Sequence, residues 1–273
     1  MMAMMDRTNP TMFQQNRIQI SEHEGSRLPD VLGRELSNII EKRIVYLDLT
    51  PGLHLTEQEI CDEFGISRSP VREAFRQLEA GGLVVRHARR GIRVKPMSEE
   101  DMHEIYACRI PLEGLAAASA ANSATAEELD GLNAALDGMK KALKEKDVPR
   151  FFDHNVAFQH RLHKASGNSM LVRILAVMEK QAIRYRYFAH IKTEEMLSFS
   201  YHAQLEVYHA IRERRPEDAK RTAGQVMKKA RQLIGDVLRQ HGADLTLGAR
   251  SPHRRAPEQK RQRLPPALPS ADS

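Results

Sequence analysis

Arg68 and Arg72 stand one helical turn apart in the segment SRSPVREAFRQLEA, and Arg76 follows one turn later. Guanidinium groups spaced in this way share a helix face, and their planar forks match phosphate oxygens and the edges of guanine bases. A helix must hold them, and the segment supplies one. Ser69 can cap a first turn, and Pro70 suits the first helical position, where a missing N–H costs nothing, so the sequence predicts a helix beginning there. Val71, Ala74, Phe75 and Leu78 then form an apolar stripe on the opposite side. One face packs and the other reaches out.

The elements needed around such a helix are also present. Thr56 to Phe64 reads as a shorter helix with a Thr56/Glu59 capping box, ended by Gly65. After Gly81-Gly82, Leu83–Arg86 and Ile92–Val94 read as two short strands, joined by His87-Ala88-Arg89-Arg90-Gly91 into a hairpin with a basic tip. Val31 to Tyr46 places Val31, Leu32, Leu36, Ile39, Ile40 and Ile44 on a supporting helix, and Pro51-Gly52 marks a turn. Helix, tight turn, helix and wing together predict a winged helix-turn-helix domain over residues 28–97. From Arg68 to Lys95 there are eight Arg or Lys against Glu73 and Glu79, a local excess equal to the formal +6 of the whole chain. Charge concentrated on such a unit points to double-stranded DNA rather than to a merely solvated helix face.

The chain has 273 residues, enough for a second domain with its own core. Residues 1–27 are polar and aperiodic and are expected to form a flexible arm. No apolar run is long enough to cross a bilayer, and no signal segment opens the chain, so a cytoplasmic location is expected. Cys61 and Cys108 fall within helical patterns and are expected to be reduced, buried thiols; no CxxC pair suggests zinc.

Beyond a Met97-Ser98 linker the pattern is helical throughout. Ser98 with Asp101 reads as another capping box opening a helix to about Ala121, which Pro111 is expected to kink. Further helices are expected at Thr125–Lys146, Asp147–Ala165, Met170–Ile191, Glu194–Glu213 and Pro216–Arg239. The fold class is therefore mainly α, with the wing as a small β-hairpin and a bundle of six or seven helices over residues 98–241. Residues 242–273 are expected to be a disordered, basic, proline-rich tail.

With these motifs the sequence resembles the GntR family of bacterial transcription regulators, in its FadR-like branch with an FCD ligand-binding domain. LTEQEICDEFGISRSPVREAFRQLEAGGLV is the most recognisable segment, supported by Arg109-Ile110-Pro111-Leu112-Glu113, FQHRLHKASGN and AIRERRPEDA. The resemblance implies DNA contacts by Arg68, Ser69 and Arg72, and by His87 and Arg89 at the wing tip. Gln58 stands where the family often has Arg, so that contact does not carry over. In many FCD proteins an Asp and three His form a metal site beside the effector pocket. The matching positions here are Asn155, Gln159, Gln204 and Val226. Amides are poor ligands for a transition metal but offer donors and an acceptor to an organic molecule, so a cofactor-free, metal-free pocket lined by Asn155, Gln159 and Gln204 is expected. Arg109 resembles the position that reaches an effector carboxylate. His160 and His163, three apart, are an alternative metal pair; their ordinary hydrogen-bonded state is the default. Arg184, Tyr185, Arg186 and Tyr187 lie nearby on faces that spacing does not settle.

The expected function is a ligand-responsive regulator: a homodimeric repressor released from a near-palindromic operator by a small organic acid. An activator, or an architectural DNA-binding protein whose second domain only dimerises, is the alternative. An enzyme is disfavoured, since HExxH, a phosphate loop and a nucleophile elbow are all lacking.

Overall fold

The computed structural model describes residues 28–87 and 91–247. The expected arm at 1–27 and Arg89 at the wing tip lie outside the described residues. The chain begins with α1 (Leu28–Val45), β1 (His54–Leu55), α2 (Glu57–Phe64), α3 (Arg68–Ala80), β2 (Val84–His87) and β3 (Gly91–Val94). Thr56 caps α2 through a complete capping box with Glu59, and Gly65 ends it in the left-handed conformation at φ 66°. Both are local signals that the chain obeys. α3 starts two residues earlier than expected: Ser67 occupies the cap position without a side-chain bond, and Ser69 and Pro70 lie inside the first turn. Proline is tolerated there because no N–H of the first turn has a partner within the helix.

The wing is a hairpin of β2 and β3, with Val84 opposite Val94 and His87 opposite Gly91. A third strand, β1, pairs with β3 on its other side, giving the order β1-β3-β2. Two residues long, β1 has no periodicity to read. Leu36, Ile40 and Ile44 from α1 meet Val71, Phe75 and Leu78 from α3 in a core closed by Leu83, Val84, Ile92 and Val94.

The bundle contains α4 (Glu99–Ser123), α5 (Ala126–Glu145), α6 (Val148–Ala165), α7 (Ser169–Lys192), α8 (Glu194–Arg212) and α9 (Pro216–Leu247). The protein is thus mainly α, a winged helix-turn-helix followed by six bundle helices among the described residues. Thr125 and Glu128 form the capping box of α5. Ser98 accepts from the Asp101 amide at the start of α4, but Asp101 pairs with Lys95 at 2.9 Å and does not complete a box. Its side chain is one methylene shorter than Glu. α4 continues through Pro111, and α9 runs past Arg239 to Leu247, into the stretch assigned from sequence to the tail; residues 248–273 lie outside the described residues.

α4 packs along α9 and also meets α6, α7 and α8. Small residues permit this: Ala116, Ala117, Ala120 and Ala121 are fully buried, and a Cβ on Gly114 would lie 3.1 Å from the Lys220 carbonyl oxygen. Cys61 is buried as expected, but Cys108 is exposed on the outer side of α4. On the helix period Tyr106 and Arg109 turn inward, while Ala107 and Cys108 between them face out.

Replacing Thr56 with Ala should remove the α2 capping box and cost the reading head about 1 kcal/mol. Faster hydrogen exchange of the α2 amides is the expected readout, and unchanged exchange would show that the box contributes nothing.

Candidate nucleic-acid interface and internal cavity

α3 buries Pro70, Val71, Ala74, Phe75 and Leu78, and leaves Arg68, Ser69, Arg72 and Arg76 exposed. The structure therefore brings the three α3 residues selected from sequence onto one open surface. α2 aims them. Arg68 Nη2 donates to Gln58 Oε1 at 3.0 Å, Gln58 Nε2 donates to Asp62 Oδ1 at 2.8 Å, and Arg72 Nε donates to Glu57 Oε2 at 3.0 Å. Gln58, the departure from the family pattern, thus orients Arg68. These contacts are exposed, so exchanging them for phosphate or base contacts costs little. His87 is exposed at the end of β2.

In the bundle, Asn155 and Gln159 from α6, Gln204 from α8 and Val226 from α9 all line one cavity, with Tyr106 from α4, Arg186 from α7 and Ser200 from α8. The four positions matched by family resemblance are brought together from three helices. The space open to water is only about 20 Å³, enough for roughly one water molecule. The side-chain oxygens of Gln159 and Gln204 and the Tyr106 hydroxyl are buried without a hydrogen-bond partner. Each such group costs roughly 1–3 kcal/mol. Their convergence gives this cavity a polar lining.

Arg109 is not where the resemblance placed it. It is fully buried, does not line the cavity, and is engaged by Glu113 at 2.6 Å and Glu179 at 2.7 Å. Glu179 also binds Arg186, whose other terminal nitrogen donates to Asn155 Oδ1. Glu113 in turn binds His163 Nε2 at 2.8 Å. A continuous run of buried charge therefore crosses α4, α6 and α7, and Arg186 is the cation that faces the cavity. Burial pushes the Glu113 carboxyl up, but Arg109 and His163 more than offset this and leave it at about 2. Burial likewise opposes the charge on Arg109, and Glu179 and Glu113 outweigh it.

The Arg109–Glu113 spacing of four was a readable pair. Glu179 and Arg186, seven apart on another helix, carried no such sign. His163 is committed to Glu113, and His160 is exposed. Among the described residues no group of three His, Cys, Asp or Glu side chains is placed to hold a metal ion. His190 lies behind the cavity wall, with Nδ1 against the Arg186 carbonyl and Nε2 against Ser200 Oγ. No helix among the described residues is long and apolar enough to cross a membrane.

Two protein families match the chain: bacterial regulatory proteins of the gntR family over residues 32–94, and the FCD domain over residues 104–229. Together they cover more than half of it. An uncharacterized HTH-type transcriptional regulator, YdhC of Bacillus subtilis, is 35% identical over 46% of this chain and 60% of its own length. That match spans less than two thirds of the relative. The HTH-type transcriptional repressor RspR of Escherichia coli is 25% identical over 78% of this chain and 92% of its own. Among solved structures, E. coli McbR/YncC shares the fold, with a TM-score of 0.67 at 19% identity over 77% of this chain and 98% of that one.

Buried His190 makes an acid-side prediction. Burial lowers its pKa from 6.5 to about 3. Below 6.5 the unfolded chain takes up a proton that the folded one refuses, so stability falls as pH drops toward 3, with a limiting slope of about 1.4 kcal/mol per pH unit. Glu113 adds a loss only from 4.5 downward. His190→Asn should therefore flatten the decline of urea stability between about pH 6 and pH 5; identical slopes would contradict the neutral, buried assignment.

Proposed function

The chain belongs to the GntR family of bacterial regulatory proteins, with an FCD domain behind its reading head, and we propose that it acts as a homodimeric repressor that a small organic acid releases from a near-palindromic operator. It is a DNA-binding transcription regulator, and its relatives are regulators rather than enzymes. The observation that carries the effector reading is the cavity, where Asn155, Gln159, Gln204, Tyr106 and Arg186 converge and three buried polar atoms lack partners. Arg186, rather than Arg109, is the group for a carboxylate, which would compete with Glu179 for its guanidinium. The site is metal-free in this reading: two glutamines, an asparagine and a valine stand at the family's ligand positions, and a guanidinium among them repels a divalent ion.

On the DNA side, Arg68, Ser69 and Arg72 read base edges and phosphates from α3, with His87 and Arg89 of the wing on the backbone. Met170, Ile174 and Val177 recur along one face of α7 and are 57%, 42% and 56% exposed, and Leu115 on neighbouring α4 is 45% exposed. This apolar face supports the pairing of two copies, whose heads would then meet two half-sites. An effector releases nothing by binding alone; it must favour the arrangement of heads that does not fit the operator.

Sheared genomic DNA retained by the protein should be enriched in a short near-palindrome. Arg72→Ala should weaken binding to that duplex by about 1–3 kcal/mol. Diffuse retention, or an unaltered titration, would remove the assignment. Replacing Ile174 and Val177 with Asp should convert the protein to a folded monomer by light scattering, and a dimer that persisted would place the interface elsewhere.

A further inference from the structure

α7 faces two ways. Arg186 lines the cavity, while Arg184, two positions earlier and so on the other side of the helix, turns toward the reading head. Arg184 is 1% exposed. Its Nη1 donates to the Lys95 carbonyl, and its Nη2 donates to the Pro96 carbonyl at 3.1 Å. No carboxylate among the described residues binds it; Asp101, which acts on it through space, is paired with Lys95. A buried guanidinium held by two carbonyls and the neighbouring Tyr185 rather than by a carboxylate, with its Nε unpartnered, is a costly arrangement for a fold to keep. What it holds is the linker between the two domains.

The same helix supports the head at other points. Lys180 pairs with Glu41 of α1 at 2.9 Å. Gln181 lies so close beneath the α3–β2 turn that a Cβ on Gly82 would come within 2.8 Å of it. Tyr187 meets the Tyr46 ring edge-on at 4.7 Å, just beyond the end of α1. α7 is thus both a wall of the cavity and the surface on which the head rests. The cavity has room for little more than a water, so a larger ligand enters only by displacing its walls.

We infer that Arg184 is a positioning residue which sets the Lys95–Pro96 linker, and with it the reading head, according to where α7 sits against the cavity. The inference rests on the regulator reading above, since it supplies the route by which an occupied cavity reaches the DNA contacts. Arg186 senses the occupant through its ties to Glu179 and Asn155, and Arg184 passes the displacement to the linker. Both travel on one rigid helix.

The test mimics an occupant. Ala230 lines the cavity from α9 and is 6% exposed, so Ala230→Leu overfills the space and presses on its walls while leaving the sequence of α7 unchanged. Two quantities are measured: hydrogen exchange of the Lys95, Met97 and Ser98 amides, and affinity for the duplex that the protein selects from genomic DNA. In the wild-type background Ala230→Leu should speed linker exchange and weaken the duplex by about tenfold, within the usual range of allosteric coupling. In an Arg184→Gln background the same change should shift either quantity by less than about twofold. Equal factors in both backgrounds would overturn the inference, because a merely structural Arg184 would alter stability but leave the response to Ala230→Leu intact. If Arg184→Gln does not fold, the cycle is run with Arg184→Lys, which keeps the charge but cannot fork both carbonyls. Failure to select any duplex would count against the regulator reading alone, and the exchange data would still decide the coupling.

Discussion

Two buried guanidinium groups facing two buried carboxylates are the constraint on which the bundle depends. Arg109 and Arg186 sit against Glu113 and Glu179, all nearly inaccessible to water. Removing any one would leave buried charge undercompensated, at a cost of up to about 3–5 kcal/mol. Their mutual satisfaction fixes how α4, α6 and α7 approach one another. It also decides what the cavity offers. Asn155 is held by Arg186, whereas Gln159 and Gln204 keep unpaired oxygens. The apolar clusters on either side, one around Phe151 and Phe158 and one around Tyr185 and Ile234, supply the bulk of burial; the charges supply the registration.

Much of this was legible in the sequence where the information is local. The Thr56/Glu59 and Thr125/Glu128 boxes and the left-handed Gly65 lie within a few residues of what they terminate, and the structure obeys them. The buried stripe of α3 followed from its period alone. The start of that helix did not, because Ser67 and Ser69 are both acceptable caps and Pro70 is compatible with either. Asp101 read as half of a box, yet its carboxylate found Lys95 instead. A local rule lost there to a neighbouring cation.

The site was half legible for a related reason. Spacing placed Asn155 and Gln159 on one face, and family resemblance carried Gln204 and Val226 to the same cavity across more than forty intervening positions. Which arginine faces that cavity was a different question. The resemblance pointed to Arg109 and left Arg184 and Arg186 unassigned, and only the packing of α4 against α7 turns the first into the ionic run, the second toward the linker and the third inward. Glu179 is the residue that settles it, since one of its oxygens takes Arg109 and the other holds Arg186 at the wall. No short-range pattern marks a partner seventy residues away.

Cys108 has a use that follows from where it sits. The sequence contains only two cysteines, and Cys61 is enclosed in the core of the head. Cys108 is exposed seven positions before Leu115, and so lies two turns away on the same outer side of α4. A thiol-directed reagent therefore meets a single target, on the face where two copies are proposed to pair. Its rate of modification becomes a chemical gauge of whether that face is covered in solution, built into the natural chain and requiring no engineered label.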